Sequence, residues 1–372
     1  MRWPTKGLAR AKSTRPLESG YLEWSKAHGN VAYNLAVSGV PPCDIALLDP
    51  SLDDFTMVAD NEYGWPPLIE RIAVRYGVTT DSVALAHGTS MANYVACAAL
   101  LDPGDEVVLE TPVYDPLRIV PEFLNCKVRL FERPEADRYR IDIGRIEGAL
   151  SRKTRLLIIS NLHNPSGALV SNEDLQAVAD LAERKNFLVL VDEVYVEWLY
   201  DAAKKIRSAI NISPRFVTTR SLTKVYGLAA LRAGWILAEP KLAARMRRLN
   251  GLFTNSMAHP TERLAARAID RAEPLLESQR SRIARNYEQV RSFVEANPRL
   301  SWVRPEAGTV GFVKLDGGSV DELVDSLLAR YDTLVTPGRF FGESDHFRIG
   351  FGMNATQLEE GLQRLSGALA QK

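Results

Sequence analysis

Hydrophobic positions in this chain fall into two kinds of run that alternate through its middle. Val83–Ala86, Glu106–Glu110, Arg155–Ser160, Phe187–Val191 and Arg215–Arg220 are short, dominated by apolar and β-branched residues, and end at polar or turn-forming positions. Runs of this length with no polar face predict strands of a parallel sheet buried on both sides. Longer stretches with helical spacing lie between them. Pro66–Gly77 opens on two prolines and closes on glycine, as helices prefer. Met91–Leu101 is rich in alanine and stops at Asp102-Pro103-Gly104-Asp105, and Ser171 with Asp174 three residues on reads as a capped helix start. Strand and helix in alternation predict an α/β fold: a large domain built on a mainly parallel, doubly wound sheet.

The pattern changes toward the C-terminus. Residues from about 240 to 292 read as helical, Thr309–Leu315 as a strand, Val320–Arg330 as a helix, Phe347–Phe351 as a strand and Ala355–Ala370 as an amphipathic helix. That set is too small for a second large sheet and predicts a small α+β domain. Residues 16–45 show no clear period and are expected to be irregular, with a turn at Ser38-Gly39-Val40-Pro41-Pro42.

Composition narrows the partners. The 372 residues carry 46 Lys+Arg against 46 Asp+Glu, so no basic field points to nucleic acid or an anionic membrane, and small molecules are the expected partners. No apolar run approaches the ~18 residues that span a bilayer. Cys43, Cys97 and Cys126 lie far apart with no CxxC pair, which argues against a disulfide framework or a metal centre and fits a reducing cytoplasm. Met1–Arg15 carries five basic residues without an acid but no apolar segment follows, so it reads as a solvated arm rather than a secretory signal.

Candidate chemistry gathers at strand ends, where open α/β sheets place their ligands. Lys224 follows the strand Arg215–Arg220, with Ser221 three residues before it and Arg232 eight after. A hydroxyl and a guanidinium suit a phosphate, and a lysine beside them suits a Schiff base with pyridoxal phosphate. His87-Gly88-Thr89-Ser90, a glycine-containing turn before a helix, is a second anion site in which Gly88, Thr89 and Ser90 would share the phosphate. Asp192, at the end of an apolar strand, would be costly to bury alone and becomes reasonable opposite a protonated pyridine nitrogen. Tyr195 and Asn164 each offer a donor to the ring oxygen, Tyr114 places an aromatic ring above the same sheet edge, and Arg348, on an apolar strand, suits a substrate carboxylate. Singly, each has a structural alternative: Asp192 as a helix cap, Tyr195 as core, Arg348 as half of an ion pair. Taken together, the six places favour a site.

Asn164-Pro165-Ser166-Gly167, Asp192-Glu193-Val194-Tyr195, Ser221-Leu222-Thr223-Lys224 and Arg348 resemble, in order and spacing, the signature of the class I/II aminotransferases, pyridoxal-phosphate enzymes of fold type I similar to aspartate aminotransferase. Gly64-Trp65-Pro66-Pro67-Leu68 and Leu101-Asp102-Pro103-Gly104-Asp105-Glu106 extend the resemblance from about residue 33 to the C-terminus. It implies transfer of an amino group from an α-amino acid to a 2-oxo acid. The implied roles are Lys224 as Schiff-base lysine and proton carrier, Asp192 on the pyridine nitrogen, and Tyr195 and Asn164 on the phenolic oxygen. Tyr114 would stack on the ring, Thr89, Ser90, Ser221 and Arg232 would hold the phosphate, and Arg348 with the Gly39 backbone would hold the α-carboxylate. A homodimer with shared sites is implied, divided into residues 1–45 (arm and part of the small domain), 46–292 (large cofactor-binding domain) and 293–372 (C-terminal small domain).

The same scaffold supports β- or γ-elimination, cyclisation or oxidation of an amino acid, which stay as alternative reactions. A non-catalytic cofactor-binding regulator is disfavoured because about 30 residues before the match leave no room for a DNA-binding domain. Two departures bear on the site. Ala59 stands where the family pattern has a tyrosine donated to the partner's phosphate, and Tyr63 is out of register with it. Thr254–His259 contains no arginine for a side-chain carboxylate, so specificity for aspartate or glutamate is not supported; Asn255, His259 or Arg339 are left as candidates for a polar side chain.

Overall fold

Strands with no polar face need cover on both sides, and the computed structural model shows how they get it. It describes residues 15–58, 62–198, 200 and 206–370, so most of the basic arm and the expectation at Ala59 fall outside the described residues. The strands are β1 (Tyr33–Asn34), β2 (Val83–His87), β3 (Glu106–Thr111), β4 (Lys127–Glu132), β5 (Thr154–Ser160), β6 (Leu188–Asp192), β7 (Phe216–Ser221), β8 (Ala233–Leu237), β9 (Leu300–Trp302), β10 (Val310–Leu315), β11 (Thr333–Leu334), β12 (Thr336–Pro337) and β13 (His346–Gly350). Seven of them form one sheet in the order β2-β8-β7-β6-β5-β3-β4. All its pairings are parallel except the two made by β8, which runs antiparallel to both β7 and β2.

Alternate residues of each strand feed opposite cores, as the period of two requires. Val107, Leu109, Leu156 and Ile158 pack with α3 (Gly88–Leu100), α4 (Asp115–Phe123) and α7 (Pro240–Thr254), through Val95, Leu117 and Met246 among others. Val108, Leu157, Ile159 and Val189 face the other way, onto α5 (Ile143–Ala149) and α6 (Asn172–Lys185). The Ser171–Asp174 capping box opens α6 as the sequence predicts. α2 (Pro66–Tyr76), closed by Gly77 in the left-handed conformation, packs beside α8 (His259–Asp270).

A second, four-stranded antiparallel sheet, β12-β13-β10-β9, is covered by α10 (Val320–Tyr331) and α11 (Ala355–Leu369). α9 (Ala272–Ala296) serves both parts: Leu275, Leu276 and Ile283 belong to the core beside the large sheet, Val290 and Val294 to the small one. The proposed division after residue 292 therefore lies inside this helix. Among the described residues no helix is long and apolar enough to cross a membrane.

Residues 16–45 are not irregular throughout. Gly20–His28 form α1, capped by the Ser19 side chain on the Leu22 N–H. Its weak amphipathic signal hid it; tertiary contacts hold it, with Ser19 Oγ donating to Asp115 Oδ2 at 2.6 Å and Tyr21 packing edge-on to Tyr114. After β1 pairs in parallel with β11, the chain threads through a seam with no space for side chains. A Cβ on Gly350 would lie 1.9 Å from the Val37 carbonyl oxygen, one on Gly352 2.3 Å from that of Gly39, and one on Gly227 2.2 Å from that of Pro41. Leu35 O accepts from the Gly350 N–H and Lys224 O from the Val40 N–H, so this segment is stitched to both the last strand and the lysine loop.

Candidate active site

Parallel strands deliver their last residues to one edge of the sheet. Ser160 ends β5, Asp192 ends β6, Ser221 ends β7, and β2 runs directly into α3 at Gly88, so the expected turn there is already the first helical residue. A cavity of about 160 Å³ opens over this edge, and Ser90, Tyr114, Asn164, Asp192, Tyr195 and Lys224 are among its walls.

Lys224 Nζ donates to Ser38 Oγ at 3.0 Å, and the Tyr195 hydroxyl donates to the same oxygen at 2.9 Å. Ser38 is held in turn by Thr309 Oγ1, which donates to its carbonyl. Gly39 does not line the cavity; it lies under the lysine, where a Cβ would come within 3.2 Å of Lys224 O.

Asp192 is buried and accepts from Asn93 Nδ2 at 2.9 Å and from the Val194 N–H at 3.1 Å. Asn93 Oδ1 accepts from Thr219 Oγ1, which fixes the amide with its nitrogen toward the carboxylate. Burial wins over these donors and pushes the Asp192 carboxyl up to about 6.

The other corner is built for an anion. Thr89 Oγ1 donates to Ser221 Oγ, which donates to Thr223 Oγ1, leaving linked hydroxyls at the start of α3. No side chain caps that helix, so its first N–H groups and the positive end of its dipole are available. Gly88 adopts φ +76°, and a Cβ there would sit 2.5 Å from Arg232 Nη2, so the glycine makes room for the guanidinium. Among the described residues Arg232 reaches only carbonyl oxygens, of His87 and Ala229, each at 3.4 Å.

Arg348 is fully buried. Nη1 donates to Asn164 Oδ1 at 3.0 Å, Nη2 to the Tyr21 hydroxyl at 3.0 Å and to Ala36 O at 2.9 Å, and Nε has no acceptor among the described residues. A guanidinium held by neutral oxygens alone is short of an anion. Beneath the site, buried Glu110 pairs with buried Arg133 and accepts from both the Ser160 N–H and Ser160 Oγ, and Ser160 Oγ accepts from the Asn164 N–H.

Of the cofactor and carboxylate candidates, all but Gly39, Gly88, Ser221 and Arg348 line the cavity directly, and these four stand immediately behind its walls. Asn255, His259 and Arg339 do not line it. Asn255 ends α7, exposed; His259 packs edge-on to Trp65; Arg339 pairs with Asp321 and lies over Phe340. Tyr63 is exposed. Sequence reasoning missed Ser38, Asn93 and Tyr21 as site residues. Asn93 had a signal, since it lies one helical turn after Thr89 and so on the same face of α3; Tyr21 had none without its helix.

These groups fit pyridoxal phosphate: a buried carboxylate with no cation paired to it among the described residues, hydroxyls and a guanidinium beside a helix N-terminus, and a lysine on the same cavity wall. The chain belongs to the class I and II aminotransferase family, which its sequence matches over residues 61–365. It is 31% identical over 289 residues to capreomycidine synthase of Streptomyces vinaceus, covering 77% of this chain and 74% of that one. It is 28% identical over 336 residues to the arginine–pyruvate transaminase of Pseudomonas aeruginosa, covering 86% and 84%. Its fold superposes on a PLP-dependent aminotransferase from Streptococcus suis with TM-score 0.89 at 24% identity, covering 96% and 98%, and on the PLP-dependent cyclase OrfR with TM-score 0.85 at 25% identity, covering 95% and 98%.

Proposed function

We propose that this protein is an aminotransferase that uses pyridoxal phosphate to move the amino group of an α-amino acid to a 2-oxo acid. One observation carries the reading: Lys224, the buried Asp192 carboxylate and the Thr89–Arg232 corner converge on a single cavity. Pyridoxal phosphate, when bound, supplies an aldehyde that captures amines and a protonated ring that withdraws electrons from the bond being broken. Lys224 would carry the aldehyde, and its amine, once free, takes the α-proton and returns it, with Ser38 as the hydroxyl that holds it in place. Asp192 would face the ring nitrogen, Asn164 and Tyr195 the ring oxygen, and Tyr114 the ring face. Gly88, Thr89, Ser90, Ser221 and Arg232 would hold the phosphate, and Arg348 with the Gly39 backbone the substrate's α-carboxylate.

The cations on the cavity wall are Lys224 and Arg232, both assigned to the cofactor, which favours donors without a side-chain carboxylate. A homodimer fits the exposed apolar side chains Leu52, Met57, Val58, Leu252 and Phe253, and a reducing cytoplasm fits three unpaired cysteines. Likeness to the PLP-dependent cyclase OrfR supports a second reading, cyclisation of an amino acid on the same residues. Visible spectra and product mass spectrometry across a panel of amino acids, on wild type and Lys224→Ala, separate the readings. Conversion of bound cofactor to its amine form, lost in the variant, supports transamination; a cyclic product without that conversion supports the second reading; failure of wild type to take up the cofactor through Lys224 overturns both.

A further inference from the structure

The group expected to bind the substrate's carboxylate is not on the cavity wall. Arg348 is completely buried, and two of its own hydrogen-bond partners, Tyr21 and Asn164, stand between it and the cavity. Asn164 belongs to a loop anchored through its N–H to Ser160 Oγ. Tyr21 belongs to α1, a nine-residue helix whose fixed end is the Ser19–Asp115 contact.

We propose that Tyr21 is a gate residue: its hydroxyl occupies, on Arg348, a position that the substrate's α-carboxylate must take, so binding exchanges one oxygen for the other and swings the Tyr21 ring aside. This rests on the reading of Arg348 as the carboxylate-binding residue. Hydrogen counting leads to the exchange. Nη2 has two N–H groups; one goes to the Ala36 carbonyl at 2.9 Å and the other to Tyr21 at 3.0 Å, with Thr336 Oγ1 a distant third at 3.4 Å. The Ala36 carbonyl is main chain within the glycine seam and cannot withdraw. A carboxylate bound at two points on the guanidinium therefore takes the Nη2 hydrogen that Tyr21 now holds.

The surroundings of the ring agree with a gate. Tyr21 makes edge or tilted contacts with Tyr114, Phe340 and Phe341, at centroid separations of 5.5, 6.0 and 6.0 Å. Arg348 lies 5.6 Å from the Tyr21 ring centre and 5.1 Å from that of Phe341, so departure of Tyr21 still leaves the cation over an aromatic face. Burial alone would raise the Tyr21 hydroxyl, but Arg348 and Lys224 outweigh it and hold the hydroxyl below the usual phenol range. The titratable and charged groups facing that hydroxyl are Arg348, Lys224 and the Tyr114 phenol.

The test uses the cofactor-loaded enzyme and Tyr21→Phe, which keeps the ring and its packing. Calorimetric titration with butyrate, a carboxylate without an amine, should give about threefold to tenfold tighter binding in Tyr21→Phe, since the competitor for Arg348 is gone. KM for amino donors should fall by a similar factor, with the change in KM and not in kcat, and amides of the same amino acids should show no difference between the two proteins. Weaker butyrate binding in Tyr21→Phe means that the hydroxyl stays and donates to the carboxylate, and unchanged binding means that it takes no part; either result overturns the gate. Arg348→Lys separates the two ideas, because butyrate affinity that survives that change overturns the reading of Arg348 itself.

Discussion

Lys224 and Tyr195 share one oxygen. The lysine amine and the tyrosine hydroxyl both donate to Ser38 Oγ, at 3.0 and 2.9 Å, so two candidate catalytic groups from two strand-end loops are registered through a residue from a third segment. Ser38→Ala removes the common acceptor. The expected result is about a tenfold to hundredfold fall in kcat/KM, the size of one hydrogen bond to a charged group. Tyr195→Phe should lose part of the same interaction, so the double variant should be less impaired than the product of the two single losses, which steady-state kinetics measures directly.

Asp192 gives a stability prediction with a definite sign. Its folded value of about 6 lies above the ordinary 3.8, so its contribution to stability is present below pH 3.8 and lost as pH rises through 6. At pH 8 the buried anion costs the cofactor-free protein about 3 kcal/mol. Asp192→Asn removes the charge but leaves two donors, Asn93 Nδ2 and the Val194 N–H, facing one acceptor oxygen, which takes back about 1–2 kcal/mol. The cofactor-free variant should therefore be more stable than wild type by about 1–2 kcal/mol at pH 8, with no advantage at pH 4, by urea denaturation at both values. Turnover of the loaded enzyme should fall about a hundredfold or more, because the anion that polarises the ring is gone.

Gly88 tests the phosphate corner. Alanine there strains a positive φ, at a cost of about 1–2 kcal/mol. It also intrudes to 2.5 Å from the tip of Arg232, which is exposed and can move. The loss should fall on the cofactor rather than the fold: Gly88→Ala should release pyridoxal phosphate at least tenfold more readily while its melting temperature drops by only a few degrees. Equal cofactor retention in dialysis against phosphate buffer would remove Gly88 and Arg232 from the anion site.

Glu110 and Arg133 sit one layer below. Arg133→Met leaves the Glu110 anion buried without its cation, at about 3–5 kcal/mol. Adding Glu110→Gln should restore much of that stability by denaturant unfolding. A single variant within 1 kcal/mol of wild type would show that Glu110 takes up a proton instead of unfolding the layer.

The parts of the fold legible in the sequence were those whose signal is local. Arg155–Ser160 and Phe187–Val191 have no polar face and could only be interior strands. Asp192, Ser221 and Lys224 stood out because polar residues ending such strands share one sheet edge. β4 was hidden because Lys127 and Arg129 break its apolar run at the edge of the sheet, and β8 because its run directly follows a loop read as continuous with Lys224 and Arg232. Ser38, Asn93 and Tyr21 were harder to see for a different reason: their partners lie 186, 99 and 327 residues away, so a turn at Ser38 and a shared helix face at Asn93 say nothing of what they meet.

The glycine seam sets an order of assembly during synthesis. Residues 35–43 leave the ribosome early, yet the groups that grip them belong to Gly227 and to Gly350 and Gly352, made far later. Until β13 and Gly352 exist, Leu35 has no donor from Gly350 and Gly39 has no glycine to lie against. A nascent chain stalled before residue 346 has the strands of the large sheet and Lys224 at its edge, but the segment that carries Ser38 lacks its Gly350 and Gly352 partners. The lysine is thus seated only after β13 and Gly352 have been made.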